Sequence, residues 1–573
     1  MFGRFARSAT IGAAQNARRQ NELCLASGPE DRSGMRRRPL LGLAWLVIFA
    51  AIASGCARRE ADTTRALQTQ TLLIGNLAEP QDLDPHTASI YTDQIILTAL
   101  FEGLTAIDEK TSQPVAAAAE RWETSADGLT WTFHLRPGMR WSNGDALVAD
   151  DFVQSWRREL APSLAAETAY LLHAIKNAEA YNNGKLTDVA SLGVTAPDPR
   201  TIVIILERPT PYLPALTALP AWFPVNPRVL AAFKALDQRG TAWTRPGNLV
   251  GNGAFTLEAW APNARLTVTK NPLYWNAART QLQQVVFFPI DNAETEERNF
   301  RAGQLHLTHT LPVTKVAGYR EREPAKLRLD PLLSTIFLRF NVAKPPFDQP
   351  KVRRALSLAI DREVIAQRGL GGARLAAPHF VPPDCAGYTS RSRVPTDFDA
   401  ARRLLAEAGF PDGKGFPTVE VQLRNDEFQP KVMEIIQAQW QRELGIRITL
   451  APFEQKIWVQ NQQSANYTVS AAGWVGDFVD PVTFLDLFLS DSGNNWTNWK
   501  DPEYDRLLAS AAITRDQTQR YELFQQAEAR LLESGPISPI FFGARSYLIH
   551  PAVKNWPSSL LGLYRFQFVE LQP

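Results

Sequence analysis

The sequence predicts an α/β protein built from several domains. Its 573 residues are too many for a single hydrophobic core. Hydrophobic residues make up 45% of the chain and charged residues 21%, which is typical of a soluble globular protein. Strand-like and helix-like periodicities alternate in blocks, with spacings that fit both hairpins and crossovers, and this pattern favours the α/β class.

The strand patterns begin after a polar stretch at 57–70. In segment 130–136, Trp131, Phe133 and Leu135 lie on one face at a period of two residues, which predicts a half-buried strand. Similar or more continuous apolar runs predict further strands at 71–75, 201–206, 334–342 and 467–475.

The helix patterns are equally regular. In segment 351–365, apolar residues recur at i, i+3, i+4, i+7 and i+8 from Val352, which forms one apolar stripe. Asp480 followed by Pro481 is typical of a helix start, so we interpret Asp480 as a structural capping residue. Further helices are predicted at 399–408, 434–444, 481–489 and 519–532.

The N-terminal region predicts export. Residues 35–56 read MRRRPLLGLAWLVIFAAIASGC: a basic cluster, about 14 apolar residues and small residues before a cysteine. The apolar run is shorter than the roughly 20 residues of a spanning helix. We therefore expect a signal peptide at 35–55, with Cys56 as the lipid-modified first residue; an ordinary signal with an incidental cysteine is the alternative. Residues 1–34 are expected to be a mis-called upstream extension before the initiator Met35.

Charge and cysteine content exclude other classes. The net charge is +2, but residues 1–55 contain eight arginines and three acids, so the remaining chain is near −3. This balance gives no support for nucleic-acid binding. The three cysteines are Cys24, Cys56 and Cys385, and removal of the leader leaves Cys385 without a disulfide partner.

Catalytic signatures are absent from the sequence, so we predict no catalytic residue, metal site or cofactor. His306 and His309 lie three residues apart in a strand-like run and would point to opposite faces. We interpret them as one surface and one structural histidine. Asp477 follows the predicted strand 467–475, at the end of a strand where ligands meet α/β sheets, and is a candidate ligand contact.

Six sequence blocks occur in the order typical of one family: DLDPHTASIYTDQIILTALFEGL (82–104), WTFHLRPGMRWSNGDALVADDFVQSW (131–156), LVGNGAFTLEAW (249–260), NPLYWN (271–276), KPPFDQPKVRRALSLAIDREVI (344–365) and GWVGDFVDPVTFL (473–485). From about Thr71 onward the chain resembles the family-5 extracellular solute-binding proteins, the oligopeptide-binding proteins of ABC importers. The resemblance implies the two-lobe periplasmic-binding-protein fold, type II, in its three-domain peptide-binding variant. It implies lobe one at 56–101, 226–333 and 544–573, an extra domain at 102–225, and lobe two at 334–543.

The resemblance also implies a site between the lobes, in which an extended peptide pairs with short protein strands. Asp477 matches the acid that binds the peptide ammonium. The pairing segments are Ser89, Ile90 and Tyr91 on one side and Gly473, Trp474 and Val475 on the other. Thr168 and Thr310 replace a tyrosine and an asparagine near the amino end. The expected partners are a peptide and the permease and ATPase subunits of an importer, with membrane contact through the lipid anchor alone and with the protein as a monomer in the periplasm or on the outer face of the cytoplasmic membrane.

The carboxyl end of the ligand is where the sequence departs from the family. The bases that commonly bind the peptide carboxylate are replaced by Leu370, Gln429, Gln462 and Ala471, with Arg368 and Arg424 as nearby substitutes. The ligand could therefore be longer, carry a modified C-terminus, or leave that end in solvent. Three alternatives stay open: transport of a cell-wall peptide, haem or a nickel chelate; a signalling or chaperone-like role on the same fold; and, as the least favoured, an exported enzyme.

Overall fold

A computed structural model of the chain describes residues 61–425 and 428–573. The predicted signal peptide, the segment 1–34 and Cys56 lie outside the described residues. Within the described ranges, no helix combines the length and the apolar character needed to cross a membrane.

The first sheet has four strands among the described residues, in the order Thr71–Gly75, Gln284–Phe288, Arg265–Lys270 and Phe255–Ala261. The first pair is parallel and the other pairs are antiparallel. The apolar run through Leu72 and Ile74 is buried along its whole length. Helix Tyr91–Leu100 packs on this sheet through Ile96, and residues 547–571 complete the same core.

The second sheet is antiparallel, with the described strands in the order Ala119–Thr124, Thr130–Leu135, Thr201–Ile205 and Val194–Asp198. The predicted alternation is confirmed, because Trp131, Phe133 and Leu135 are all buried. Helix Ala149–Glu159 covers the sheet, and Trp156 contributes its indole to a core that spans residues 104–222.

The third sheet has its described strands in the order Leu375–Ala376, Ile537–Leu548, Leu327–Phe340, Val469–Val475, Val419–Arg424 and Ile448–Phe453. It carries a separate core on each face. Leu338 and Phe340 point into one core and Phe337 into the other, as the pleat of a strand requires. The helices on the first face are Pro350–Leu358, Phe398–Glu407 and Gln429–Leu444. Those on the second are Val482–Leu485, Pro502–Ile513 and Gln517–Ser534.

Two long antiparallel strands of this sheet, Leu327–Phe340 and Ile537–Leu548, run between cores. Tyr547 belongs to the core of the first sheet, whereas Ile537 and Ile540 belong to the cores of the third sheet. The register of the pair shifts between Pro331 and Thr335. These crossing strands therefore connect the two regions at an irregular part of the ladder.

The remaining described elements are shorter connections. The helices are Asp62–Gln68, Ala178–Asn182, Leu213–Leu216, Pro227–Ala232, Ala293–Arg301, Val313–Arg322, Arg362–Val364 and Gln455–Gln463. Two small hairpin-like pairs join Thr105–Ile107 to Pro114–Ala116 and Val553–Lys554 to Glu570–Leu571.

Most predicted elements are confirmed, although the strand predicted at 334–342 begins at Leu327 and the helix predicted at 434–444 begins at Gln429. The helix predicted at 351–365 is wrong as a continuous element. It ends at Leu358, and a short second helix begins after Asp361. The Asp361 carboxylate accepts a hydrogen bond from the Val364 amide at 3.0 Å and caps the new start. The segment predicted at 481–489 is likewise a single turn, Val482–Leu485, followed by a 3-10 turn.

Candidate ligand-binding site

A cavity of about 1010 Å³ lies where the regions of the first, second and third sheets meet. Several segments of the chain contribute residues to its wall. On one side these residues come from within 88–94 and 309–314, on a second from within 168–171 and 219–221, and on a third from 475–477. The crossing strands contribute 332–334 and 544–546. The lining segments show that the cavity lies between the regions that the crossing strands connect. Its size is ample for a small organic ligand.

The strand Val469–Val475 reaches this cavity with one edge unpaired. On one side it pairs with the crossing strand Leu327–Phe340 along its whole length. On the other side, only Val469 and Ser470 pair with a neighbouring strand in the described part of the chain. Gly473 and Val475 are exposed, and Val475 retains 69% of its accessible surface. The backbone at 473–475 is therefore available to an added strand.

Asp477 lies directly after this edge and lines the cavity. Its Oδ1 accepts a hydrogen bond from the Tyr170 hydroxyl at 3.0 Å, and its amide donates to Thr483 Oγ1 at 3.1 Å. Burial raises the pKa of the Asp477 carboxyl, and the Tyr170 hydrogen bond opposes that shift. Gly476 permits this path, because a Cβ there would lie 2.7 Å from a methyl group of Leu333. The cavity is therefore lined by the Asp477 carboxyl group, which accepts a hydrogen bond from one neutral donor, the Tyr170 hydroxyl.

Asp480 has the structural role that the sequence indicates. Both of its carboxylate oxygens accept hydrogen bonds from the Arg520 guanidinium at 2.7 Å, and both side chains are buried. One oxygen also accepts from the Val482 amide at 3.0 Å, at the start of the short helix. The buried ion pair was not visible in the sequence.

Tyr170 is a site residue that the sequence analysis missed. Thr168 was singled out as the replacement of a family tyrosine, yet the hydroxyl that reaches Asp477 comes from two residues later. Thr168 also lines the cavity, but its hydroxyl donates to the buried Glu159 at 2.9 Å. The signal that the sequence offered was a tyrosine two positions after Thr168. The 3-10 turn Ala169–Leu172 positions this residue, Tyr170, in the cavity wall.

The segment Ser89, Ile90 and Tyr91 is not a strand throughout. Ile90 has extended backbone angles, but Tyr91 is the first residue of a helix. Ser89 and Tyr91 line the cavity and Ile90 does not. The Ser89 hydroxyl donates to Glu167 at 2.8 Å, and the Tyr91 hydroxyl donates to the Gly562 carbonyl at 2.7 Å. On this side, the residue with extended backbone angles is Ile90, directly before the helix.

Of the remaining predicted contacts, some line the cavity and others do not. Thr310 lines the cavity, and its amide donates to Glu296 at 3.1 Å. Gly473 and Trp474 do not line it; Trp474 packs at the edge of a third-sheet core. In total, five of the eight predicted contacts line the cavity: Ser89, Tyr91, Thr310, Val475 and Asp477.

The interpretation of the two histidines is wrong in one respect, since neither is on the surface. His306 is fully buried and accepts a hydrogen bond from the Leu73 amide at 3.1 Å. His309 is also buried, lines the cavity and packs edge-on against Tyr91 with ring centroids 5.5 Å apart. The reason is that Leu307 bridges to Ile74 on one side and to a C-terminal residue on the other, so the segment is enclosed.

The positions considered for the carboxyl end do not reach the cavity. Leu370, Gln429, Gln462 and Ala471 are buried elsewhere, and Gln462 accepts a hydrogen bond from Arg339 at 3.2 Å. Neither proposed substitute, Arg368 or Arg424, lines it. The arginines that do line the cavity wall in the described residues are Arg374 and Arg545, which sequence reasoning missed.

A comparison with family models matches residues 113–496 to the bacterial extracellular solute-binding proteins, family 5 Middle. Among curated proteins, the chain is 36% identical to "Probable deoxycholate-binding periplasmic protein YgiS" of Escherichia coli K12, over 90% of this chain and 96% of that protein. It is 33% identical to the periplasmic oligopeptide-binding protein OppA of Salmonella typhimurium, over 89% and 94% of the two chains.

Solved structures show the same similarity over nearly the whole body. The unliganded open form of MppA, a periplasmic murein tripeptide binding protein, has a TM-score of 0.81 at 32% identity and covers 88% of this chain and 98% of that one. The complex of Haemophilus influenzae OppA with RPPGFSPFR has a TM-score of 0.65 at 30% identity, with 88% and 99% covered. The TM-score is therefore higher for the open, unliganded form of MppA than for the peptide complex of OppA.

Proposed function

Because this chain belongs to the bacterial extracellular solute-binding proteins of family 5, we propose that it captures extended peptides and delivers them to an ABC importer. The α/β two-lobe periplasmic-binding fold predicted from the sequence is confirmed by the structural relatives. The observation that carries the proposal is the unpaired strand edge at 473–475, which leads directly to Asp477. A peptide added to that edge gains main-chain hydrogen bonds that do not depend on its side chains.

In this proposal the Asp477 carboxylate binds the ammonium group of the peptide. A cation removed from water needs a charged, hydrogen-bonded partner. The Tyr170 hydroxyl donates to one oxygen of Asp477 and supports its charged form. Ser89, Tyr91 and Thr310 form part of the opposite wall. A strand edge that pairs with the peptide backbone and leads to Asp477 favours a peptide with a free amino terminus over one with a blocked amino terminus.

We propose the lobe bounds that the sequence suggests: lobe one at 56–101, 226–333 and 544–573, the extra domain at 102–225, and lobe two at 334–543. The two proposed boundaries between lobe one and lobe two, at 333/334 and 543/544, lie in the crossing strands beside the register shift at 331–335. The lobes would close on a ligand by rotating about this irregular segment.

Export and anchoring belong to the same proposal. The basic cluster and short apolar run at 35–55 support export, and the cysteine after the small residues supports a lipid anchor at Cys56. The partners would be permease and ATPase subunits, with the protein acting as an extracytoplasmic monomer. Mass spectrometry of the mature N-terminus tests the anchor: a diacylglyceryl mass on Cys56 is expected, and an unmodified Cys56 contradicts it.

The test of peptide binding is native mass spectrometry of the purified protein, followed by calorimetry. We expect co-purified peptides, and we expect trialanine to bind more tightly than N-acetyl-trialanine because acetylation removes the ammonium group. Equal affinity for the two contradicts the role of Asp477. Failure of every peptide of two to nine residues contradicts the peptide function itself.

One observation favours a second candidate, an apolar organic anion of the kind named for the YgiS relative. Much of the cavity wall is aliphatic, for example Leu171, Leu219, Leu311, Leu332 and Leu561. An aliphatic wall suits a steroid or similar apolar body. Calorimetry with deoxycholate distinguishes the two candidates: micromolar binding of deoxycholate without peptide binding favours the second, and the reverse result favours the first.

A further inference from the structure

Arg545 lines the cavity and belongs to the crossing strand Ile537–Leu548. Its neighbours Ala544 and Ser546 also line the cavity, as do Leu332 and Ser334 of the second crossing strand. Arg545 therefore sits where the two strands pass between the cores, at the base of the cavity.

The groups that contact Arg545 are neutral. One terminal nitrogen donates to the Tyr91 hydroxyl at 3.2 Å and the other donates to the Tyr564 hydroxyl at 2.9 Å. The guanidinium carbon lies 4.2 Å from the centre of the Tyr547 ring. The Nε–H is buried and has no acceptor among the described residues. A guanidinium has five N–H donors, and only part of this capacity is used here.

The nearest candidate counter-ions are committed elsewhere. Asp330 stands opposite Arg545 in the ladder, but its carboxylate accepts from the Tyr547 hydroxyl at 2.6 Å and from Arg328 at 3.3 Å. Glu296 accepts from the His309 and Thr310 amides, and burial raises its pKa to about 7, which weakens its negative charge. No carboxylate in the described ranges lies within 4.0 Å of the Arg545 guanidinium.

We propose that Arg545 binds a carboxylate group of the ligand at the base of the cavity. The inference rests on the proposed function, since it assigns a chemical class to the solute of that site. A cation partly removed from water without a counter-ion is costly, and a carboxylate in the cavity would supply the missing charge and accept from the terminal N–H groups that Tyr91 and Tyr564 leave unused. Arginine suits this task because its planar fork matches a carboxylate.

This position differs from those considered in the sequence. The four positions considered for the carboxyl end hold Leu370, Gln429, Gln462 and Ala471, which are buried away from the cavity. Arg545 comes instead from the C-terminal part of the chain and lines the cavity. The carboxylate it binds could be the α-carboxylate of a short peptide, an acidic side chain, or the head group of an apolar acid, which share one chemistry.

The experiment compares acids with their matched amides by calorimetry at pH 7.5. Three pairs separate the sources: trialanine with its C-terminal amide, Ala-Glu-Ala-amide with Ala-Gln-Ala-amide, and octanoate with octanamide. The proteins are the full-length wild type, Arg545→Gln, Arg545→Lys and the control Arg391→Gln, which removes an exposed arginine that does not line the cavity and pairs with Glu522. Thermal unfolding of each variant verifies that it is folded.

We expect the wild type to prefer the acid in at least one pair by about 10- to 150-fold, the usual range for a hydrogen-bonded charge. Arg545→Gln should reduce that ratio to near one, Arg545→Lys should retain part of it, and Arg391→Gln should leave it unchanged. A ratio is insensitive to a general loss of affinity, so it reports the carboxylate contact itself.

Three outcomes overturn the inference: no preference for an acid in any pair, a preference that survives in Arg545→Gln, or failure of all six compounds to bind. If peptides bind and no pair shows a preference for the acid, the carboxylate anchor fails while the peptide function stands. If no peptide binds and octanoate is preferred over octanamide in a way that depends on Arg545, the anchor stands and the peptide function fails.

Discussion

Replacing Asp477 by asparagine removes the charge proposed to bind the peptide ammonium and keeps nearly the same shape. The asparagine carbonyl can still accept the Tyr170 hydroxyl, whose oxygen lies 3.0 Å from Asp477 Oδ1. The variant should therefore fold normally, and its loss of affinity should reflect the missing ion pair. This separates binding from stability, which a truncation to alanine does less well.

The magnitude follows from the burial of the pair. Truncating one member of a buried charge pair costs roughly 2–5 kcal/mol. Asp477 is only partly buried, so water screens the pair and the lower part of the range applies. We expect a loss of about 2–3 kcal/mol, or about 30- to 150-fold in Kd for trialanine. N-acetyl-trialanine should bind the wild type and Asp477→Asn about equally.

The assay is calorimetry at pH 7.5 with a matched control, Glu294→Gln. Glu294 is also a cavity-wall acid, but it is paired with Lys315 at 2.5 Å and should leave the affinity within about twofold. Since burial raises the pKa of Asp477, wild-type affinity should fall on acidification at a higher pH than an ordinary aspartate would cause. Unchanged affinity of Asp477→Asn for the free peptide would refute the reasoning.

Three further predictions concern other residues. Asp480→Asn should lower the free energy of unfolding by roughly 3–5 kcal/mol, because it leaves the buried Arg520 without its carboxylate; a change below about 1 kcal/mol in urea denaturation contradicts this. Tyr170→Phe removes the donor that lowers the pKa of Asp477, so affinity for trialanine should fall about 2- to 10-fold and more steeply at pH 5.5 than at pH 7.5; a parallel pH profile contradicts the contact. Burial raises the pKa of Glu102 from 4.5 to about 7, so the native state binds more protons than the unfolded state between these values and loses stability as the pH rises. Glu102→Gln should remove this loss of roughly 3 kcal/mol between pH 5 and pH 8, and an unchanged pH dependence in urea denaturation counts against it.

The sequence alone determined the local elements and the class of the fold. Strand Thr71–Gly75 matches its predicted bounds, and the alternation at Trp131, Phe133 and Leu135 is buried as expected. These predictions succeed because a period of two or 3.6 residues is a local property that burial on one face imposes directly. Asp480 was predicted correctly for the same reason, since a helix start depends on a few adjacent residues.

Tertiary structure decided which side chains share the cavity. Asp477 was predicted from its place after a strand, but its partner Tyr170 is 307 residues away in the chain. Arg545 reaches the same cavity from the strand Ile537–Leu548, which was not among the predicted strands, and His309 is buried because distant strands enclose its segment. No periodicity carries that information, because the cavity wall is set by how separate cores pack around two crossing strands.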